Sequence, residues 1–379
     1  MALALTEEQQ LLKQTALDFF GERSPVRELR KLRDSKDATG FSRALWKQMA
    51  ELGWAGIIFP ESYGGSDFGY FGLGLVLEAA GRTLAATPLV STVLLCGSAV
   101  MLAGSEAQRR AILPAIASGQ RIMALAFDEG PRHAPFNMAL RAAKSDKGWT
   151  LDGEKVFVLD GHIADQLIVA ARTSGKPGER AGITLFLVDG NAGGVTRTRS
   201  MMVDSRNAAR IGFKGVRVGA DAVLGEADRG GDVLEAVLDR GRIGLAAEML
   251  GSALEAFERT VKYLKERKQF GVPIGSFQAL KHRAAEMFCE IELAKSVVLD
   301  ALTAIDERRN DVAQVASLAK ARLCDTLFLV SNEGVQMHGG IGMTDEEEIG
   351  FFMKRARVAA ATFGDAGFHR DRYAGLEGY

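Results

Sequence analysis

The sequence predicts an α+β multidomain protein with an N-terminal helical domain, a middle β-domain of barrel or sandwich type and a C-terminal four-helix bundle. Two observations carry this. Hydrophobic residues recur at helical spacing at both ends of the chain, but form short strand-like runs between about residues 120 and 225. The chain also has 379 residues, more than one compact core of roughly 100–200 residues accommodates. The domains are read as 1–118, 119–227 and 228–379.

In the first block, Thr6-Glu7-Glu8-Gln9 is a capping box ahead of Leu12, Ala16 and Phe19 at helical spacing. Glycine and proline at 59–65 mark a loop, and helices are expected at 73–86 and 105–116. In the middle block, Trp149 to Val158 reads as two short strands around an Asp152-Gly153 turn. Apolar runs at 168–171 and 183–188 and an alternating run at 211–218 supply further strands. The last block opens with a long helix over 232–267. Phe277, Leu280, Ala284, Phe288, Ile291, Val298, Leu302 and Ile305 then form the stripe of a bundle helix, and helices follow at 312–336 and 346–362.

Composition narrows the function. Hydrophobic residues at 47% and charged residues at 25% fit a globular protein. A net charge of -1 lacks the basic surplus of a nucleic-acid binder. Cys96, Cys289 and Cys324 have neither zinc nor redox spacing, so they are read as small hydrophobes in a reducing cytoplasm. No signal peptide is expected at Met1 to Gln10, and no apolar run is long enough for a membrane helix. His133, His162, His282, His338 and His369 show no metal-ligand spacing and are expected on the surface or in hydrogen bonds.

Two runs stand out. At Arg267-Lys268-Gln269-Phe270-Gly271 a long helix ends and turns through Gly and Pro, and the next helix opens at Phe277-Gln278. A guanidinium there suits a phosphate or carboxylate, although an interhelical turn with a solvated charge accounts for the run equally well. At Gln336-Met337-His338-Gly339-Gly340-Ile341-Gly342 a helix ends in glycines. These either admit a ligand to the backbone or form a glycine cap and turn.

Taken together, the two runs resemble the acyl-CoA dehydrogenase family over essentially the whole chain. The resemblance implies bound flavin adenine dinucleotide (FAD), partly held by a neighbouring subunit in a tetramer built as a dimer of dimers. By resemblance, Arg267 and Gln269 face the pyrophosphate, Phe270 and Gln278 face the adenosine half, and Gln336, Gly339 and Gly340 close over the same region. Asp128 and Phe157 would border the flavin ring. Asp239 and Arg242 would line the acyl-CoA pocket, and electrons would pass to an electron-transfer flavoprotein.

The sequence also departs from that pattern. α,β-Desaturation of an acyl thioester needs a base for the α-proton. Where the family keeps a glutamate near the C-terminus this chain has Phe363, and at the alternative position on the pocket helix it has Gly241. Leu159 replaces a hydroxyl residue beside the flavin. Asp128 brings a negative charge that would disfavour reduced flavin by about 1–4 kcal/mol at ~4 Å unless it is neutral or turned away. Asp365 is a candidate substitute base. The alternative is a partner subunit in a heterotetramer whose other chain supplies the base. A flavin oxidase or monooxygenase and a non-catalytic partner are the rival functions.

Overall fold

The computed structural model describes residues 5–379. Its helices are α1 (Glu7–Arg23), α2 (Val26–Asp34), α3 (Arg43–Glu51), α4 (Gly69–Arg82), α5 (Ser98–Ala103) and α6 (Glu106–Ala117), followed by α7 (Gly230–Glu266), α8 (Gln278–Asp306), α9 (Val312–His338), α10 (Ile349–Ala361) and α11 (Ala366–Leu376). Between α6 and α7 lie β1 (Met123–Ala126), β2 (Arg141–Ser145), β3 (Gly148–Leu159), β4 (Gln166–Arg172), β5 (Ile183–Asp189), β6 (Val195–Met201), β7 (Asn207–Val218) and β8 (Val223–Leu224). The predicted order of helices, then strands, then helices is therefore observed. The chain forms two compact units: residues up to Ser35 with Tyr70–Ala85 and Arg242–Tyr379, and Lys36–Gly69 with Ala86–Gly241.

In the first unit, glycine sets the helix spacing. A Cβ on Gly81 would lie 2.0 Å from the Glu248 carbonyl oxygen, and one on Gly251 would lie 1.8 Å from that of Glu78. Only glycine lets α4 and α7 approach this closely. The same contact is tied by the Ser252 hydroxyl, which donates to the Gly81 carbonyl at 2.9 Å. Asp306 at the end of α8 accepts the N–H groups of Tyr70 and Phe71, both at 2.8 Å, and so satisfies orphan donors of α4. Thr6 forms the predicted capping box with Gln9.

The predicted stripe of α8 divides in two. Ile291, Val298, Leu302 and Ile305 are buried, whereas Phe277 and Phe288 are 38% and 52% exposed. Only the C-terminal half of that face is covered within the chain.

In the second unit, the strands form one sheet in the order β6-β7-β3-β2-β4-β5-β8, with β1 pairing parallel to β4. Its core draws on β1, β2, β3, β4, β5 and β7, including Ala124, Ala142, Leu151, Leu167, Phe186 and Ile211. One expectation is corrected here. Asp152-Gly153 is not a hairpin turn, because β3 runs straight through it as a single strand. The dipeptide instead marks a register shift against β7. Gly153 has φ +143°, and a Cβ there would meet Leu140 at 2.8 Å. The Asp152 carboxylate accepts the N–H of Gly215 at 2.7 Å. The turn signal was a bulge signal.

Candidate functional site

The loop between α10 and α11 carries Phe363, the position where the resemblance leads one to expect a base. Phe363 is 3% exposed and has φ +61°, and Gly364 follows at φ +102°. Two successive left-handed residues, one of them a phenylalanine, are strained and need support from outside the loop. That support falls on two carbonyls. The Phe363 carbonyl accepts from His369 Nε2 at 3.0 Å, with Arg242 Nε at a longer 3.5 Å. The Gly364 carbonyl accepts from Lys320 Nζ at 2.8 Å, and the same ammonium reaches the Ala360 carbonyl at 3.1 Å.

Burial, reinforced by Arg242 and Lys320, holds His369 far below its usual pKa. Its imidazole is therefore neutral and Nε2 carries the proton. Its Nδ1 lies 3.4 Å from the Ser317 hydroxyl, which itself accepts from Arg372 at 2.6 Å. Burial also pushes the Lys320 ammonium down.

Asp365 is exposed and caps α11, its Oδ1 accepting the Phe368 N–H at 2.8 Å. Gly241 is buried and has no side chain to offer. Asp239 (5% exposed) and Arg242 (0%) both sit buried on α7, one turn apart.

A second cluster lies at the bulged end of β3. Phe157 has φ +51° and is 48% exposed, between the buried Lys155 and Val158. The register of β3 against β7 shifts between Lys155 and Val158, and the bulge turns the Phe157 ring outward. Below it, Lys155 donates to Glu129 Oε1 at 2.7 Å and to the Phe127 carbonyl at 2.9 Å. Burial pushes Lys155 down to about 8, against the pull of Glu129. Glu129 also accepts from the N–H groups of Ala139 and Leu140, and the Val156 N–H donates to the Asp128 carbonyl at 2.9 Å. These bonds fasten the 127–129 segment alongside Phe157.

The Asp128 carboxylate is engaged by His133 Nδ1 at 3.0 Å and by the Ala134 N–H at 3.2 Å. The His133 side chain is 3% exposed. The Asp128 carboxylate is thus held by His133 and the 133–134 backbone. Sequence reasoning missed Lys155, Glu129 as its partner, and the Asp128–His133 pair. The only available signal was the pair of opposite charges at 129 and 155.

The third cluster unites the two sequence runs. Lys268–Gln269 and Val272–Pro273 pair as a small antiparallel hairpin whose tip presents Phe270, 92% exposed, with its ring edge-on to Phe277 at 6.1 Å. Arg267 is exposed, and its guanidinium makes no ion pair among the described residues. Tyr263, one turn before Arg267, stacks on His338 at 4.4 Å and donates to its carbonyl. That contact sets the hairpin beside Gly339 and Gly340, where an added Cβ would meet nothing within 4 Å. Gln269, Gln278 and Gln336 are also exposed. His338, with Nδ1 2.7 Å from the Gly334 carbonyl, serves this packing.

The donor set fits FAD: a guanidinium and amides for the pyrophosphate, an exposed ring for the adenine, and open glycines for close approach. No cluster of His, Cys, Asp and Glu among the described residues is arranged to hold a metal ion. None of the described helices is long and apolar enough to cross a membrane.

Comparison with known proteins agrees with this geometry. Three family models match in order: acyl-CoA dehydrogenase N-terminal domain over residues 6–120, middle domain over 129–216 and C-terminal domain over 228–375. A short-chain specific acyl-CoA dehydrogenase of Megasphaera elsdenii is 32% identical over 368 residues, covering 94% of each chain. Among solved structures, butyryl-CoA dehydrogenase from Megasphaera elsdenii is similar at a TM-score of 0.91 and 29% identity, with 100% of both chains covered. A chain of the ChsE4-ChsE5 complex from Mycobacterium tuberculosis is similar at 0.90 and 25%, again over 100% of both. With all three domain models matched in sequence order and a relative above 30% identity along nearly its whole length, this chain belongs to the acyl-CoA dehydrogenase family of FAD-dependent oxidoreductases.

Proposed function

We propose that this chain is one subunit of a heterotetrameric acyl-CoA dehydrogenase whose other chain supplies the base for α,β-desaturation. One observation carries the proposal: the buried position 363 holds a phenyl ring, while the nearest acid in sequence, Asp365, is exposed and spent on capping α11. A benzyl side chain accepts no proton. The similarity to a chain of the ChsE4-ChsE5 complex supports a mixed assembly. So do the exposed apolar side chains Phe270, Phe277, Phe288 and Leu293 along the hairpin and α8, a surface suited to another subunit.

FAD, when bound, supplies the hydride acceptor. Arg267 and Gln269 would bind its pyrophosphate and Phe270 and Gln278 its adenosine, with Gln336, Gly339 and Gly340 closing over them. Asp128 and Phe157 would border the ring in this chain's own half. Asp239 and Arg242 would orient the acyl-CoA. The Phe363 backbone N–H would still polarise a thioester carbonyl, since that function needs no side chain. A cytoplasmic location and an electron-transfer flavoprotein as acceptor complete the proposal.

The test is turnover of several acyl-CoAs with a dye acceptor, by the chain alone and after co-expression with a related chain. The proposal expects turnover only in the mixed assembly. Robust turnover by the isolated chain would sink it.

A further inference from the structure

Lys320 keeps unusual company for a lysine that is 0% exposed. Two of its N–H groups go to the Gly364 and Ala360 carbonyls, at 2.8 and 3.1 Å. Its remaining partner is the sulfur of Cys324, 3.3 Å away and one turn further along α9. A thiol sulfur is a weak acceptor, and a hydroxyl, amide or carboxylate at 324 would serve a buried ammonium better. Besides the amine, Cys324 Sγ has a long contact of 4.0 Å to the Ala360 carbonyl. Burial disfavours the charged form of both groups. It pushes the Lys320 ammonium down and the Cys324 thiol up, each against the pull of the other. An uncharged amine and an uncharged thiol in contact are two adjoining nucleophiles, and the amine can accept the thiol proton as the sulfur reacts. Cys324 is 6% exposed, so the pair lies just beneath the surface, within reach of an oxidant little larger than water.

We infer that Lys320 and Cys324 form an oxidative modification site, which hydrogen peroxide closes into a lysine–cysteine bridge through a single oxygen atom. The Cys324 sulfur attacks one peroxide: an S–O bond forms, the O–O bond breaks, and the thiol proton leaves with the departing hydroxide as water, giving a sulfenic acid. The Lys320 nitrogen attacks a second peroxide in the same way and becomes a hydroxylamine, with release of water. The hydroxylamine oxygen then displaces hydroxide from the sulfenic sulfur, closing S–O–N and releasing a third water. Sulfur and nitrogen together give up four electrons, two to each peroxide. An inserted oxygen suits the 3.3 Å separation, because both atoms stay nearly where they are. A direct S–N bond would pull the nitrogen off its carbonyl acceptors. The bridged nitrogen keeps one hydrogen, so only one of the Ala360 and Gly364 carbonyls retains its donor.

The experiment treats the full chain, as purified, with a graded excess of hydrogen peroxide. Remaining thiols are alkylated, and the tryptic peptides are weighed by mass spectrometry. Cys289, which is exposed, reports that the oxidant has acted, and Cys96, 0% exposed, is the buried thiol for comparison. The expected result is loss of cleavage after Lys320 and a peptide containing Lys320 and unalkylated Cys324, heavier by one oxygen and lighter by two hydrogens. It should be at least about tenfold more abundant than in untreated chain. Dithiothreitol should restore both the thiol and the cleavage, and neither Cys324→Ser nor Lys320→Arg should give the bridged mass. The unmodified chain decides even should a variant not fold. Three results overturn the inference: Cys324 still a free thiol when Cys289 is fully oxidised, a sulfenic or sulfinic acid at 324 with cleavage after Lys320 intact, or a pair lighter by two hydrogens with no added oxygen.

Discussion

Asp160 offers a measurement of free energy stored beside the proposed flavin face. It follows the bulged end of β3 with φ +54° and is 8% exposed. Burial raises its carboxyl from 3.8 to about 6, outweighing hydrogen bonds from Ser91 and Asn207 and the attraction of Arg206 and Arg199. Between these values the folded chain holds a proton that the unfolded chain has lost, so stability falls as pH rises through the window from 3.8 to about 6. At 1.36 kcal/mol per pH unit the full loss is about 3 kcal/mol above the folded value. Asp160→Asn keeps the shape, an acceptor for the Ser91 hydroxyl and tolerance of the left-handed region, but removes the charge.

The variant is therefore expected to be more stable than wild type by about 3 kcal/mol at pH 7.5 and by only about 1 kcal/mol at pH 4.5. The reporter is favourable, because Trp46, Trp54 and Trp149, the three tryptophans of the chain, lie in the same compact unit as Asp160. At a urea slope of about 3 kcal/mol per molar, the tryptophan-detected midpoint should rise by about 1 M at pH 7.5. A variant less stable than wild type at pH 7.5, or a gain of the same size at both pH values, would refute the assignment of a desolvated carboxylate.

Four further outcomes follow from the same geometry. Lys155→Met strands the Glu129 carboxylate and should cost about 3–5 kcal/mol, read by tryptophan-detected melting. Gly364→Ala forces a Cβ to within 2.4 Å of Phe368 at a backbone angle that favours glycine, and should destabilise by more than about 2 kcal/mol. Gly375→Ala in α11, where the Cβ meets nothing, should be neutral or stabilising by up to about 1 kcal/mol in the same denaturation series. Arg267→Gln with Phe270→Ala alters only exposed side chains, so the melting temperature should hold within the equivalent of about 0.5 kcal/mol. The visible flavin absorbance retained by the mixed assembly should nevertheless drop, and unchanged retention would remove these residues from the adenosine side.

What could be read from the sequence follows the range of the interactions. The capping box at Thr6, the helical period of α8 and the turn between α7 and α8 are set by residues a few positions apart, so spacing reports them, whereas the short strand pair within that turn was not read from it. Even there, spacing fixed the geometry less well than the element: Asp152-Gly153 has the composition of a turn and the setting of a bulge, decided by Leu140 and β7. The buried charges were invisible for the opposite reason. Lys320 sits among Ala319, Ala321 and Leu323 on a helix whose composition gives no sign of a lysine fully removed from water, and its carbonyl acceptors lie 40 and 44 positions away. His369 was read as an ordinary hydrogen-bonded histidine, and the partner that gives it meaning is a carbonyl in a strained loop.

The same contrast separates the two halves of the proposed site. The half offered outward is exposed, local and recognisable residue by residue. In the inward half Phe363 stands in a left-handed loop whose two carbonyls are bound by His369 and Lys320. The hold on the Gly364 carbonyl comes from Lys320, 44 positions earlier on α9, so the shape of this loop lies beyond what local spacing reports.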